Sequence, residues 1–116
     1  MPVDQISETN GRIVIALSGE IDLETAPAVR KALLDNLKGG KDLLIDLAQV
    51  SYIDSSGIAS LVESLQLARK QGHDVALIAV SARALRVLEL ARLDKVFTIH
   101  ADLTSALAVN DKTAQQ

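Results

Sequence analysis

Short β-branched runs alternate along the chain with longer stretches whose apolar residues recur at helical spacing. The predicted strands cover residues 3–7, 12–17, 42–47, 75–80 and 95–99. The run over 12–17 is rich in Ile and Val and too short for a buried helix, so it predicts a strand. We expect residues 3–7 to pair with it across Asn10-Gly11, because that dipeptide is a strong hairpin signal.

Helical spacing predicts four helices, over residues 23–38, 56–71, 82–91 and 103–109. Pro27 falls in the first turn of the first helix, where its missing N–H costs nothing. Gly39-Gly40 ends that helix, and Gly19 to Asp22 is expected to break the strand before it. Ser81 is a plausible N-cap for the third helix.

The resulting order, ββαβαβαβα, predicts an α/β fold with a mixed, mostly parallel sheet of about five strands flanked by about four helices. The first two strands form an antiparallel edge, and the helices are expected on one face. The length of 116 residues suits a single domain. We expect that domain to span 1–116, with a core over 3–109 and a frayed polar tail over 110–116.

Composition narrows the possible functions. The chain has no cysteine, which removes disulfides, thiolate catalysis and cysteine zinc sites. A net charge of −3 argues against nucleic acid as the main partner, and Tyr52 and Phe97 are too few aromatics for a base-stacking surface. No apolar run approaches the ~20 residues of a membrane span, and no secretory signal is visible. The expected compartment is the cytoplasm.

Few residues could do enzyme chemistry. We interpret His73 and His100 as solvated loop histidines, because both stand in polar positions at element ends. They share no helical face, so a zinc motif is absent. Asp42 and Asp46 point to the same side of a strand, but Asp42 stands at its start and is expected to be solvated. No nucleophile elbow or phosphate-binding glycine loop occurs. We therefore predict no catalytic residue, no metal and no cofactor.

The stretch Asp54-Ser55-Ser56-Gly57 joins a buried strand to a helix and admits two interpretations. Small hydroxyl residues there are typical N-caps. A hydroxyl at a helix N-terminus is also exposed, and the free N–H groups beside it favour a phosphate. Phosphorylation there would add roughly −1.5 to −2 charges without unfolding the helix, and a partner docked over it would be repelled.

The sequence resembles STAS domains, and within them single-domain anti-sigma factor antagonists of the SpoIIAA and RsbV type. Four segments carry the resemblance in the family's order, and the resemblance as a whole covers about residues 3–109. They are Gly19-Glu20-Ile21-Asp22, Leu44-Ile45-Asp46-Leu47, Tyr52-Ile53-Asp54-Ser55-Ser56-Gly57 and Leu93-Asp94-Lys95-Val96-Phe97.

The resemblance implies a partner switch. The unphosphorylated protein binds a serine-kinase anti-sigma factor with a histidine-kinase-like ATPase fold, and this frees the sigma factor. The kinase then phosphorylates Ser55, binding is lost, and a PP2C-type phosphatase restores it. Asp54 shapes the site and is read by the partner, Ser56 caps the helix, and Gly57 permits close approach of the partner backbone.

The implied partner surface combines the helix start with the loop after the second strand. It includes Asp54, Ser55, Ser56, Gly57 and Ile58 from the helix start. From the loop it includes Gly19, Glu20 and Asp22. Many members read Gly-Leu-Gly after the serines, whereas this chain reads Gly57-Ile58-Ala59, a difference that bears on partner choice.

Other functions stay open at this point. Small STAS proteins also serve as subunits that dock on the ATPase of phospholipid-transport ABC systems, without a phosphorylation cycle. A related possibility is a partner-switching regulator whose target is not a sigma factor. A third, an enzyme such as a nucleotide hydrolase, has least support, because the sequence offers no phosphate cradle.

Overall fold

A computed structural model describes residues 2–108, and its elements follow the predicted order. The strands are β1 (Val3–Thr9), β2 (Arg12–Ile21), β3 (Leu43–Ile53), β4 (Val75–Ile78) and β5 (Thr98–His100). The helices are α1 (Ala26–Leu37), α2 (Ser55–Lys70), α3 (Ala82–Leu90) and α4 (Leu103–Ala108). The end predicted for the last helix, at residue 109, and the predicted frayed tail over 110–116 lie outside the described residues.

The strands form one sheet in the order β1-β2-β3-β4-β5. β1 is antiparallel to β2, and every other neighbouring pair is parallel, which confirms the predicted mixed sheet. The hairpin between β1 and β2 closes with Thr9 opposite Arg12. Its two loop residues have positive φ, 52° at Asn10 and 77° at Gly11, as a tight turn matched to the twist of the strands requires.

The two faces of the sheet are covered unequally. The larger core fills one face, where α1, α2 and α3 pack through Leu33, Leu65 and Leu88 against strand residues that include Ile45. A smaller cluster on the other face joins Val14, Leu44, Ala76 and Ile78 to Ala106 of α4. The expectation that the helices share one face is therefore wrong. Alternate strand residues are apolar on both sides, so both faces have to be covered.

The strands beside the candidate site are longer than predicted. The sequence suggested that Gly19 to Asp22 breaks β2, but β2 continues to Ile21 and β3 continues to Ile53. Gly19 has a φ of 75°, and the register between the strands shifts after it, so the glycine absorbs a bulge rather than ending the strand. Ile21 then pairs with Ile53, and both side chains are buried.

Other element ends also differ from the prediction. α1 begins at Ala26 rather than residue 23, and Leu23 is 77% exposed instead of lying in its apolar stripe. β4 ends at Ile78 because Ala79 leaves the strand with a φ of 51°. The last strand is shifted toward the C-terminus and covers only Thr98–His100. Pro27 lies in the first turn of its helix, as predicted.

Candidate functional site at the start of helix α2

The start of α2 is held by the ends of β2 and β3. These two parallel strands finish side by side, with Ile21 opposite Ile53. The backbone N–H of Asp54 then donates to the carbonyl of Ile21 over 3.0 Å. Because parallel strands end at the same edge of a sheet, the loop after β2 and the first turn of α2 are neighbours.

Asp54 caps α2. One oxygen of its carboxylate, Oδ1, accepts from the backbone N–H of Ser56 at 2.9 Å and of Gly57 at 3.3 Å. The hydroxyl of Ser56 donates to the same oxygen at 2.5 Å. The prediction that Ser56 caps the helix is thus wrong: the stronger acceptor, a carboxylate, takes that position and Ser56 is one of its donors.

These donors stabilise the charged form of Asp54. The hydroxyl of Ser56 is the largest cause that lowers the pKa of this carboxyl, and the backbone N–H groups of Gly57, Ser56 and Leu23 lower it further. The backbone bond from Asp54 to the carbonyl of Ile21 joins the cap of α2 to the end of β2 as well. Asp54 therefore links the two predicted halves of the site.

The two serines beside Asp54 differ in what their hydroxyls do. Ser56 is partly buried, and its hydroxyl is committed to Asp54. Ser55 is exposed at the first position of α2, and no group among residues 2–108 forms a hydrogen bond with its hydroxyl. Of the pair, Ser55 is thus the hydroxyl that an approaching enzyme can reach without breaking a contact.

Gly57 and Ile58 are less exposed than Ser55. Gly57 is buried, and a Cβ at this position would lie 2.7 Å from side-chain atoms of both Ile21 and Ile53. The missing side chain at Gly57 is therefore explained by packing inside the protein, where the sequence suggested the approach of a partner backbone. Ile58 is half-buried and packs against the core.

Asp22 organises the loop after β2. Its Oδ1 accepts from the backbone N–H groups of Glu24 at 3.0 Å and Thr25 at 3.1 Å. The hydroxyl of Thr25 in turn donates to the carbonyl of Glu20 over 2.9 Å, and it accepts from the backbone N–H of Asp22. These bonds form a closed turn over residues 22–25, which is why the helix starts three residues later than predicted. Thr25 was not among the predicted site residues.

The loop leaves acidic and apolar groups exposed beside Ser55. Gly19 and Glu20 are exposed at the end of β2, and Glu20 lies opposite the half-exposed Tyr52 in the sheet. Leu23 lines a groove between α1 and α2 that also contains Ser56. Arg30 and Glu63 also line the groove and form a two-bond ion pair with N–O distances of 2.8 and 2.7 Å. The exposed apolar groups Leu23 and Tyr52 were not predicted.

The residues considered for enzyme chemistry lie elsewhere. His73 is only partly exposed, and its Nδ1 lies 3.2 Å from Oδ1 of Asp42, so neither is the solvated group expected from the sequence. His100 belongs to β5 rather than to a loop. Within residues 2–108, no three His, Asp or Glu side chains are grouped as metal ligands would be. In the same part of the chain, no helix has the length and apolar character that a bilayer span requires.

Comparison with known protein families shows to which family this chain belongs. The sequence model of the STAS domain family matches residues 4–106. The chain belongs to the STAS domain family. This confirms the resemblance seen in the sequence, and all four of its segments lie inside the matched region.

Individual relatives give a finer comparison. The anti-sigma-B factor antagonist of Bacillus subtilis is 32% identical over 96 residues, which cover 83% of this chain and 88% of the relative. The one from Listeria monocytogenes is 38% identical over 88 residues, 75% of this chain and 77% of the relative. A crystal structure of an anti-sigma factor antagonist from Mycobacterium paratuberculosis superposes with a TM-score of 0.82 at 29% identity, over 90% of both chains.

Proposed function

We propose that this STAS protein is an anti-sigma factor antagonist controlled by phosphorylation of Ser55. In its unphosphorylated form it binds a serine-kinase anti-sigma factor and so releases the sigma factor. The protein acts by binding and performs no catalysis of its own. The single observation that carries the proposal is the exposed, uncommitted hydroxyl of Ser55 at the first position of a capped helix.

The position of Ser55 suits a phosphate that leaves the fold intact. α2 is 16 residues long, and a helix presents a partial positive charge at its N-terminus. A phosphate on Ser55 would lie at that end and outside the core, because the side chain is exposed. Phosphorylation is therefore expected to change the surface without unfolding the protein.

The charges around Ser55 explain how a phosphate would release a partner. Asp54 already keeps a carboxylate charge here, and Glu20 and Asp22 belong to the neighbouring loop. The exposed apolar groups Leu23 and Tyr52 offer contact area to the unphosphorylated partner. A dianion desolvated against that partner would cost several kcal/mol, which corresponds to a loss of affinity of about 100-fold or more.

The rest of the predicted partner surface follows from this arrangement. Gly19 and Glu20 are exposed and available for direct contact. Asp22, Asp54 and Ser56 act by holding the loop and the helix start in place. An interface that one phosphate can release should be modest, at or below about 1,200 Å².

The proposed cycle needs two enzymes, a serine kinase that is also the anti-sigma factor and a PP2C-type phosphatase that removes the phosphate. It belongs in the cytoplasm, where sigma factors act. The two enzymes would compete for one surface, because both must reach the same hydroxyl on Ser55.

Co-purification from the native host tests the proposal. A tagged Ser55→Ala chain cannot be phosphorylated and should retain the kinase, whereas Ser55→Glu should lose it. A small ATPase of the histidine-kinase type recovered with Ser55→Ala supports the proposal. Recovery of an ABC ATPase with both variants would contradict it and indicate a constitutive docking subunit instead.

A further inference from the structure

A cavity of about 140 Å³ lies on the face of the sheet that α4 covers, away from Ser55. It opens between α4 and the first residues of the parallel strands. Its polar groups come from Arg12, Asp42, Asp74, Thr98, His100 and the backbone of Ala106. β3 starts at this cavity and runs 11 residues before α2 begins, so roughly 30 Å separate the cavity from Ser55.

Arg12 is the unusual residue of this cavity. It is only 8% exposed, and Nη1 of its guanidinium donates to the carbonyl of Ala106 over 3.1 Å. No other acceptor among residues 2–108 meets this guanidinium. No fully buried side-chain nitrogen or oxygen in that range lacks a partner, so the remaining guanidinium nitrogens keep contact with solvent, and Arg12 lines the cavity. Its remaining N–H groups are therefore available as donors to a ligand.

Two carboxylates line the same cavity without pairing with Arg12. The Oδ1 atom of Asp42 accepts a hydrogen bond from the backbone N–H of Asp74 and lies within hydrogen-bond distance of the His73 ring. The Oδ1 atom of Asp74 accepts a hydrogen bond from the backbone N–H of Val75, and it lies 3.9 Å from Nε of Arg69. Within residues 2–108, the Oδ2 atom of each carboxylate accepts no hydrogen bond. Neither carboxylate comes within the 4.0 Å of an ion pair with Arg12.

A cavity lined by one guanidinium, of Arg12, and two carboxylates, of Asp42 and Asp74, favours ligands with a particular distribution of charge. A simple anion would be attracted by Arg12 but repelled by Asp42 and Asp74, and a simple cation would meet the opposite conflict. A molecule that carries a carboxylate at one end and an ammonium at the other satisfies both ends. Thr98 and His100 add side chains that can form hydrogen bonds to its carboxylate or backbone-like atoms.

The size of the cavity limits the ligand further. An apolar cavity of about 150 Å³ holds a benzene molecule, whereas drug-sized ligands occupy roughly 300 Å³ or more. We therefore infer that this cavity binds a small zwitterion, an α-amino acid with a short side chain, with its carboxylate on Arg12 and its ammonium toward Asp42 and Asp74. Such a ligand would join β2 to the starts of β3 and β4 and raise the melting temperature.

The first test is a titration of the ¹⁵N-labelled full chain by nuclear magnetic resonance. Glycine, L-alanine and L-serine are the probes, and acetate and methylamine each present only one of the two charges. The inference predicts shifts at the amides of Arg12, Thr98 and His100, with an affinity at least about tenfold higher than for acetate or methylamine. No shift at these amides at tens of millimolar, or equal binding of acetate, would overturn it.

Variants separate binding from structure. Asp74→Asn should weaken the binding of the amino acid by at least about fivefold, and Glu89→Gln, a matched change on the exposed side of α3, should leave it unchanged. Arg12→Gln should abolish binding. If that variant loses α4 because the bond to Ala106 is broken, Asp74→Asn decides alone, and unchanged binding by it refutes the inference. Ser55→Ala should bind as the wild type does, so a failed phosphorylation switch leaves this test intact.

Discussion

Helices α2 and α3 both begin after a parallel strand of the same sheet, and both have a serine at the start, but the two serines do different things. Ser81 is the N-cap of α3, and its hydroxyl accepts from the N–H of Ala84 at 3.2 Å and donates to the carbonyl of Val50 at 2.7 Å. At α2 the cap is Asp54, and Ser55 follows it with a hydroxyl that bonds to no group among residues 2–108.

The difference lies in which side chain meets the free N–H groups of the helix. Ser81 does so at α3, and a phosphate there would remove the hydrogen bond that its hydroxyl donates to Val50. At α2 the carboxylate of Asp54 accepts from those N–H groups, so the hydroxyl of Ser55 is not needed to cap the positive end of the helix. A carboxylate cap thus makes a serine available for modification without a cost in stability.

The largest expected effect concerns binding. Ser55→Asp should lower the affinity for the anti-sigma factor by about 100-fold while the fold is kept, because a permanent charge sits where the partner docks. Isothermal titration calorimetry with the purified kinase measures this. Thr104→Asp, an equal change on the exposed side of α4, is the control. Equal affinities of Ser55→Asp and the wild type would break the proposed link between charge and release.

Gly57→Ala should destabilise the protein by about 1–3 kcal/mol, because the added methyl group has to displace Ile21 and Ile53. Gly39→Ala is the matched control, since nothing lies within 4 Å of a Cβ there. Urea denaturation followed by circular dichroism measures both. If Gly57→Ala unfolds at the same urea concentration as the wild type but loses partner binding, the glycine serves the interface instead of the core.

The two serines themselves give a direct contrast. Ser81→Ala should lower the free energy of unfolding by about 1–2 kcal/mol, because the cap and the bond to Val50 are both lost. Ser55→Ala should stay within about 0.5 kcal/mol of the wild type, since its hydroxyl contacts no other group among residues 2–108. The two variants can be compared in the same denaturation series. A larger loss for Ser55→Ala than for Ser81→Ala would contradict the structural distinction between them.

The smallest effect is in the pH dependence. The pKa of Asp54 is lowered in the folded protein, so this carboxylate stabilises the fold above its unfolded pKa, about 3.9, and that contribution is lost as pH falls through the folded pKa. Asp54→Asn carries no such charge. The difference in melting temperature between wild type and variant should therefore shrink below about pH 4, and a constant difference across that range would show that the charge of Asp54 is unimportant.

The sequence predicts the order of elements better than their ends. Patterns of apolar residues are local and survive in the fold, so all nine elements within residues 2–108 were predicted. The ends depend on competition between polar groups: Asp54 displaced Ser56 as cap, and the turn made by Asp22 and Thr25 delayed α1. A carboxylate two residues before a hydroxyl is a signal that could have corrected the first error.

Burial across elements could not be predicted in the same way. Nothing in the local pattern marks Arg12 as buried, because its position depends on α4, which is 94 residues away at Ala106. Leu23 fits a helical stripe by spacing alone, and only the turn before α1 exposes it. The candidate site is different, since a contiguous segment after a strand supplies Asp54, Ser55 and Ser56 together.

The mass of the intact protein from its native host, before and after phosphatase treatment and with peptide mapping, tests the central claim most directly. We expect a form that is heavier by about 80 Da, with the phosphate on Ser55 and removed by the phosphatase. Phosphate on Ser56 or Ser81, or a single unmodified mass under every growth condition, would contradict the claim that the uncommitted hydroxyl is the switch.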